Sequence, residues 1–189
     1  RSSLRRKIHW HRKYDETQGI ALDELLNSVE SLYERIAPAD LITRHCWLFL
    51  NHWADLPVRV RDEDYSIRGG LREAARNSAL NEVFQALGMA GVERLIRECG
   101  NAGVVGTALA ATECGKDKWA EWIAEKGKKF PPSEAMTFCI SGLLCWIQEP
   151  HSTALIKEVL AQADTQMWSS ERRARFLVLA RTERANWEQ

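Results

Sequence analysis

Histidine and cysteine are the residue types in this chain best suited to ligating a metal or attacking an electrophile, with five of each among 189 residues. The densest group is His45, Cys46 and His52, set around Trp47 and Trp53. A zinc site needs four converging ligands, usually from pairs spaced two to five residues apart. His45 and His52 lie seven apart and could share a helix face, but no second pair accompanies them. Cys139 and Cys145 are six apart, which turns them about 120° away from each other on a helix. His9 and His11 are two apart and fall on nearly opposite sides. The spacing therefore implies no metal, and no cofactor is expected.

Other motifs fail on similar grounds. Asp62-Glu63-Asp64 resembles the start of a calcium loop. Such a loop needs glycine at its sixth position and glutamate at its twelfth. Here Ile67 takes the place of the glycine, and Glu73 falls at the twelfth. Gly100, Gly103 and Gly106 form a G-x-x-G-x-x-G string. A phosphate-binding turn requires a strand feeding that loop, whereas the preceding residues read as helix. Close backbone packing between helices explains these glycines better. Ser141-Gly142 lies in a helical run and is not a nucleophile elbow. Cys99 and Cys114 have no obvious histidine partner along the chain. No catalytic constellation stands out, so the chain is not expected to be an enzyme.

What is unusual is aromatic. The eight tryptophans are Trp10, Trp47, Trp53, Trp119, Trp122, Trp146, Trp168 and Trp187. Tryptophan offers a large contact area and one donor at low entropic cost, which suits binding anchors. Most should fill gaps between helices; Trp10, Trp119, Trp122 and Trp168 are the candidate partner-binding residues. A second candidate surface is basic. Arg5, Arg6, Lys7, Arg12 and Lys13 precede the first acid, Asp15, with Trp10 and Tyr14 interleaved. Cations neutralise phosphates and aromatic rings stack on bases, so this arm is the candidate nucleic-acid contact.

All of these residues must be positioned by helices. Between Ile20 and Ile36, apolar residues recur at three- and four-residue steps. Ala37-Pro38-Ala39-Asp40 predicts a restart with Pro38 in the first turn. That stripe should end near Trp53, with Pro57 closing it. Residues 57–70 read as a polar connection or a helix start. A longer helix from Leu71 should stop at Gly88, and a short one at Gly100. Asn101 is placed to cap the next helix, which ends near Gly115. A compact helix carries Trp119, Trp122 and Ile123, and Pro131-Pro132-Ser133 starts a strongly apolar one. Ser152 and Ser169 are placed to cap the last two. No segment alternates with period two, so no strands are expected.

The expected fold class is therefore all-α. Short helices with short loops should pack as antiparallel pairs, in an α-solenoid of tetratricopeptide or HEAT type or in an irregular helical bundle. From Ser133 onward the predicted starts recur about every 18 residues, a pair period of roughly 36. Residues 1–18 read as a basic N-terminal segment and 19–189 as a single helical-repeat domain. The chain begins at Arg1 without methionine, which suggests a fragment of a larger protein.

Composition narrows the partners. Lys plus Arg equals Asp plus Glu at 26 each, so no global field favours nucleic acid or an anionic membrane. No apolar run approaches the roughly 20 residues of a membrane span. Five scattered cysteines suit a reducing, cytoplasmic setting.

Ile36-Ala37-Pro38-Ala39-Asp40-Leu41, followed by Arg44-His45-Cys46-Trp47-Leu48-Phe49, resembles helical segments of the STAND-type NTPases, large bacterial multidomain proteins. In these a nucleotide-binding core precedes a long helical sensor array. The likeness covers less than a tenth of the chain, and no Walker A lysine motif is present, so no NTPase residue is carried over. It implies an α-solenoid sensor piece that recognises a partner. The expected function is a protein-interaction or sensor module, without catalysis of its own. It would bind a protein partner or other domains of the same longer chain. The alternative is a nucleic-acid-binding helical domain that uses the basic arm.

Overall fold

A computed structural model describes residues 2–14, 19–56, 65–129, 133–148 and 150–185. Among them every regular element is helical: α1 (Ser2–Tyr14), α2 (Gly19–Arg35), α3 (Leu41–His45), α4 (Tyr65–Glu98), α5 (Ala102–Thr112), α6 (Trp119–Lys126), α7 (Glu134–Trp146), α8 (His151–Thr165) and α9 (Ser170–Ala185). A 3₁₀ turn, Cys46–Phe49, continues α3.

Local chemistry sets many of the boundaries. Asn101 accepts from the Val104 amide at 3.3 Å and starts α5. Ser133 does the same for Met136 at the start of α7. The hydroxyl of Ser169 accepts from the Arg172 amide ahead of α9. Within α4 the helical path breaks at Gly88, whose φ of 61° is cheap only without a Cβ. Two starts differ from expectation. Pro38 lies outside α3, which begins at Leu41 because the Asp40 carboxylate accepts from the Thr43 amide at 2.9 Å. Ser152 does not cap α8: that helix begins at His151 behind Pro150, and Ser152 is buried in its first turn. Pro57, Asp62-Glu63-Asp64, Pro131, Pro132 and Trp187 lie outside the described residues. Residues 65–73 are helical, so they cannot form the second half of a calcium loop.

The main packing pairs of the C-terminal half skip one helix. α5 packs on α7, α7 on α9, and α6 on α8. Consecutive helices were expected to be the main neighbours, and here they are not. The tightest crossing explains why. A Cβ on Gly106 would lie 2.0 Å from the Cys139 carbonyl oxygen, and one on Gly142 would lie 2.3 Å from the Gly103 oxygen. Backbone meets backbone, which holds α5 and α7 together and leaves α6 to one side. This is the close packing that the glycine string implied.

A single core runs from Ile42 and Phe49 through Leu80, Leu95 and Leu109 to Ile140, Val159 and Phe176. Ile8, Leu26 and Tyr33, contributed by α1 and α2, are buried outside that cluster.

Candidate functional site

Between α4, α5, α7 and the turn after Phe49 lies a cleft of about 650 Å³. One face of α7 contributes Phe138, Ser141, Gly142, Cys145 and Trp146, spaced as helical geometry requires for a common face. α5 contributes Gly103, Thr107, Ala108 and Ala111. These small residues allow the two helices to approach, and that approach makes the floor. Phe138 and Trp146 rise from it, 57% and 50% exposed.

The opposite wall consists of His52, Glu73 and Arg76. Arg76 is buried, and its position follows from an unsatisfied helix end. The last carbonyls of a short helix have no intrahelical donor. Arg76 Nε donates to the Leu48 oxygen at 2.9 Å, and Nη2 donates to the oxygens of Asn51 and His52 at 2.8 and 3.1 Å. One side chain on α4 thus fixes the turn that carries His52 into the cleft. Burial lowers its pKa from the ordinary arginine value, and the nearby Arg72 adds to that. Arg72 itself stacks over Trp53, 4.8 Å from the ring centroid.

The floor offers few open polar groups. Thr107 Oγ1 donates back to the Val104 oxygen at 3.0 Å, and the Asn101 side chain is engaged at the start of α5. The cleft therefore pairs two aromatic posts with one carboxylate, one cation and one imidazole along its wall. This suits holding apolar side chains of a ligand while its polar parts meet the wall.

Most sequence candidates lie elsewhere. Trp119, Trp122 and Trp168 are buried core residues, which removes them as surface anchors. Trp119 Nε1 donates to the Cys114 oxygen at 2.8 Å. Trp122 Nε1 donates to Glu93 Oε1 at 2.9 Å, and Lys126 pairs with the same oxygen at 2.8 Å. Burial pushes the Glu93 pKa up, but these hydrogen bonds outweigh it and hold the carboxyl below its ordinary value. Trp168 covers Gly127 and meets Phe176 edge-on, with ring centroids 6.1 Å apart. Each indole that bonds inward gains a buried acceptor for its N–H as well as apolar area, so the core claims it. Trp10 alone of the four is exposed, at 59%.

The basic arm is also altered. Arg5 is buried with its guanidinium 3.9 Å from the centroid of the Trp47 ring, so it is not a free phosphate contact. Arg6 and Lys7 are exposed. Arg12 and Lys13 belong to α1, but their side chains lie outside what is described.

His45, Cys46 and His52 are directed to three different places. His45 Nε2 lies 2.7 Å from Glu82 Oε2, Cys46 donates to the Glu98 oxygen at 3.2 Å, and His52 reaches the cleft. Among the described residues no group of three or more His, Cys, Asp or Glu could hold a metal ion. Desolvation raises the thiol pKa of Cys46 and of buried Cys139, and pushes Cys99 up to about 11. Such thiols stay protonated near neutrality and are poor nucleophiles. No described helix is long and apolar enough to cross a membrane.

The sequence reading missed Phe138, Trp146 and Arg76. Trp146 was one of the eight tryptophans but not among the four singled out, and Phe138 fell within a helix read only as strongly apolar. Arg76 sits 24–28 residues from the carbonyls it satisfies, beyond any local pattern.

Comparison with protein-family models, curated proteins and solved structures finds no match to this chain.

Proposed function

We propose that this chain is a helical-repeat interaction module of a larger intracellular bacterial protein, with no catalytic activity of its own. It takes a segment of a protein partner, or of another domain of its own longer chain, into the cleft between α5 and α7. One observation carries this reading: Phe138 and Trp146 stand exposed on one helix face beside a cleft of about 650 Å³. Water contact with two large aromatic side chains costs free energy that a bound apolar side chain would recover. The skip-one packing, α5 on α7, α7 on α9 and α6 on α8, supports a two-layered solenoid, the geometry that presents such grooves. A sensor array of the kind found in STAND-type NTPases fits the same description.

Selection from a random peptide display library tests it. Peptides enriched on the wild-type chain should carry an aromatic or branched apolar residue. They should bind at micromolar affinity or better with little salt dependence, and lose at least tenfold on Phe138→Ala/Trp146→Ala. Enrichment that ignores this double variant would refute the cleft assignment. The nucleic-acid alternative would rest on Arg6, Lys7, Arg12 and Lys13, because Arg5 is engaged with Trp47. It would require log K to fall with log salt at about −0.9 per phosphate neutralised. Submicromolar, salt-steep DNA or RNA binding lost on Arg6→Glu/Lys7→Glu would overturn the protein-partner reading.

A further inference from the structure

The outer face of α2 carries an apolar seam that its own core does not use. Leu25, Val29, Leu32 and, just past the helix end, Ile36 recur in steps of four, three and four. That is the a/d repeat by which one helix packs along another. An amphipathic surface helix normally turns such a stripe inward. Here Leu26 and Tyr33, one residue further along, are the buried pair. Leu25, Leu32 and Ile36 stand 59%, 48% and 51% exposed, and Val29 is half-buried. Helix α2 thus has two apolar faces: one covered by its own chain, the other open.

We infer that this seam pairs with the α2 seam of a second copy of the chain, antiparallel, across a two-fold axis near Val29. The period of the pattern specifies a helix as the partner, and a two-fold contact needs only a self-complementary patch. The seam is self-complementary in charge as well as in shape. Glu24 and Arg35 are both exposed and lie 11 residues apart, about 20° on the helix, so they share one flank at opposite ends. A parallel pair would set Glu24 beside its own copy and Arg35 beside its own. An antiparallel pair sets each Glu24 near the other chain's Arg35. The four seam positions span 11 steps, roughly 17 Å at 1.5 Å per residue. So short a contact points to a weak dimer, since standard stable interfaces bury roughly 1,200–2,000 Å².

Sedimentation equilibrium of the full 189-residue chain from micromolar to millimolar concentration tests this. A monomer–dimer equilibrium is expected. Leu25→Glu/Leu32→Glu should raise the dimer dissociation constant at least tenfold while leaving the helical circular dichroism unchanged, since both side chains are exposed. Glu24→Lys or Arg35→Glu alone should weaken the dimer about two- to fivefold, and the two together should restore it. A chain that stays monomeric at millimolar concentration, or a dimer indifferent to Leu25→Glu/Leu32→Glu, overturns the inference. A double charge reversal that fails to restore affinity overturns the antiparallel arrangement.

Discussion

The crossing of α5 with α7 and the hairpin of α1 with α2 solve the same packing problem in opposite ways. In the first, glycines at positions 103, 106 and 142 bring backbones into contact, and the space for a Cβ at Gly106 is already occupied by the Cys139 carbonyl. In the second, the two helices pack through side chains, and Ile8, Leu26 and Tyr33 are each buried outside the main core cluster. The first arrangement is intolerant because neither backbone can move without disturbing a whole helix. The second keeps an apolar face open and holds an arginine against a tryptophan. The α5–α7 crossing beside the cleft should therefore tolerate substitution less well than the α1–α2 contact.

The largest effect is expected where the backbones touch. Gly106→Val must separate α5 from α7 and should cost about 3 kcal/mol, seen as a lower urea midpoint for the whole cooperative transition. A loss under about 1 kcal/mol would show that the crossing relaxes easily, and the contrast with α1–α2 would collapse. Arg76→Met comes next. It leaves the Leu48, Asn51 and His52 carbonyls without their donor and should cost about 2–3 kcal/mol. It should also weaken binding in the cleft, because His52 loses its support; unchanged peptide affinity would mean that the wall does not matter.

At the looser end, Arg5→Met should cost about 1 kcal/mol or less. It removes a cation–π contact with Trp47 while relieving a burdened buried charge. Hydrogen exchange should quicken in α1 and α2 and stay unchanged in α5 and α7; equal quickening in both regions would show that they unfold as one unit. The smallest effect concerns pH. Hydrogen bonds from Thr43, then Arg94, lower the Asp40 pKa from 3.8 to about 2. The folded state therefore favours the carboxylate, and that contribution is present above 3.8 and lost as pH falls through about 2. The melting-temperature difference between wild type and Asp40→Asn should shrink across that window; a difference that persists at lower pH would assign the effect to something other than ionisation.

Signals acting within three or four residues were legible. Asn101, Ser133 and Ser169 cap the helices they were expected to cap, and Gly88 breaks α4 where the apolar pattern stops. Where two local signals competed, the sequence was ambiguous: Asp40 caps α3, so the helix starts after Pro38 and does not include it, and Pro150 precedes α8 in place of Ser152. The cleft was not legible at all. Its residues come from His52 to Trp146 and meet only because α5 and α7 cross.

The sequence alone determined that this chain is helical, roughly where most helices after α1 begin, and that the glycines of the 100–106 string serve close packing. These outcomes depend on backbone groups and side chains a few residues apart, whose energies do not wait for the rest of the molecule. Which tryptophans are buried was decided only by the tertiary structure. The motifs around Trp119, Trp122 and Trp168 look as suited to a surface as those around Trp10, Trp53 and Trp146. What separates them is whether distant elements enclose the ring, as Glu93 and Phe176 help to enclose Trp122 and Trp168, whereas Arg72 stacks on Trp53 and leaves it exposed. Such partners are chosen by the path of the whole chain, because burial is a property of the space between elements and not of any one of them.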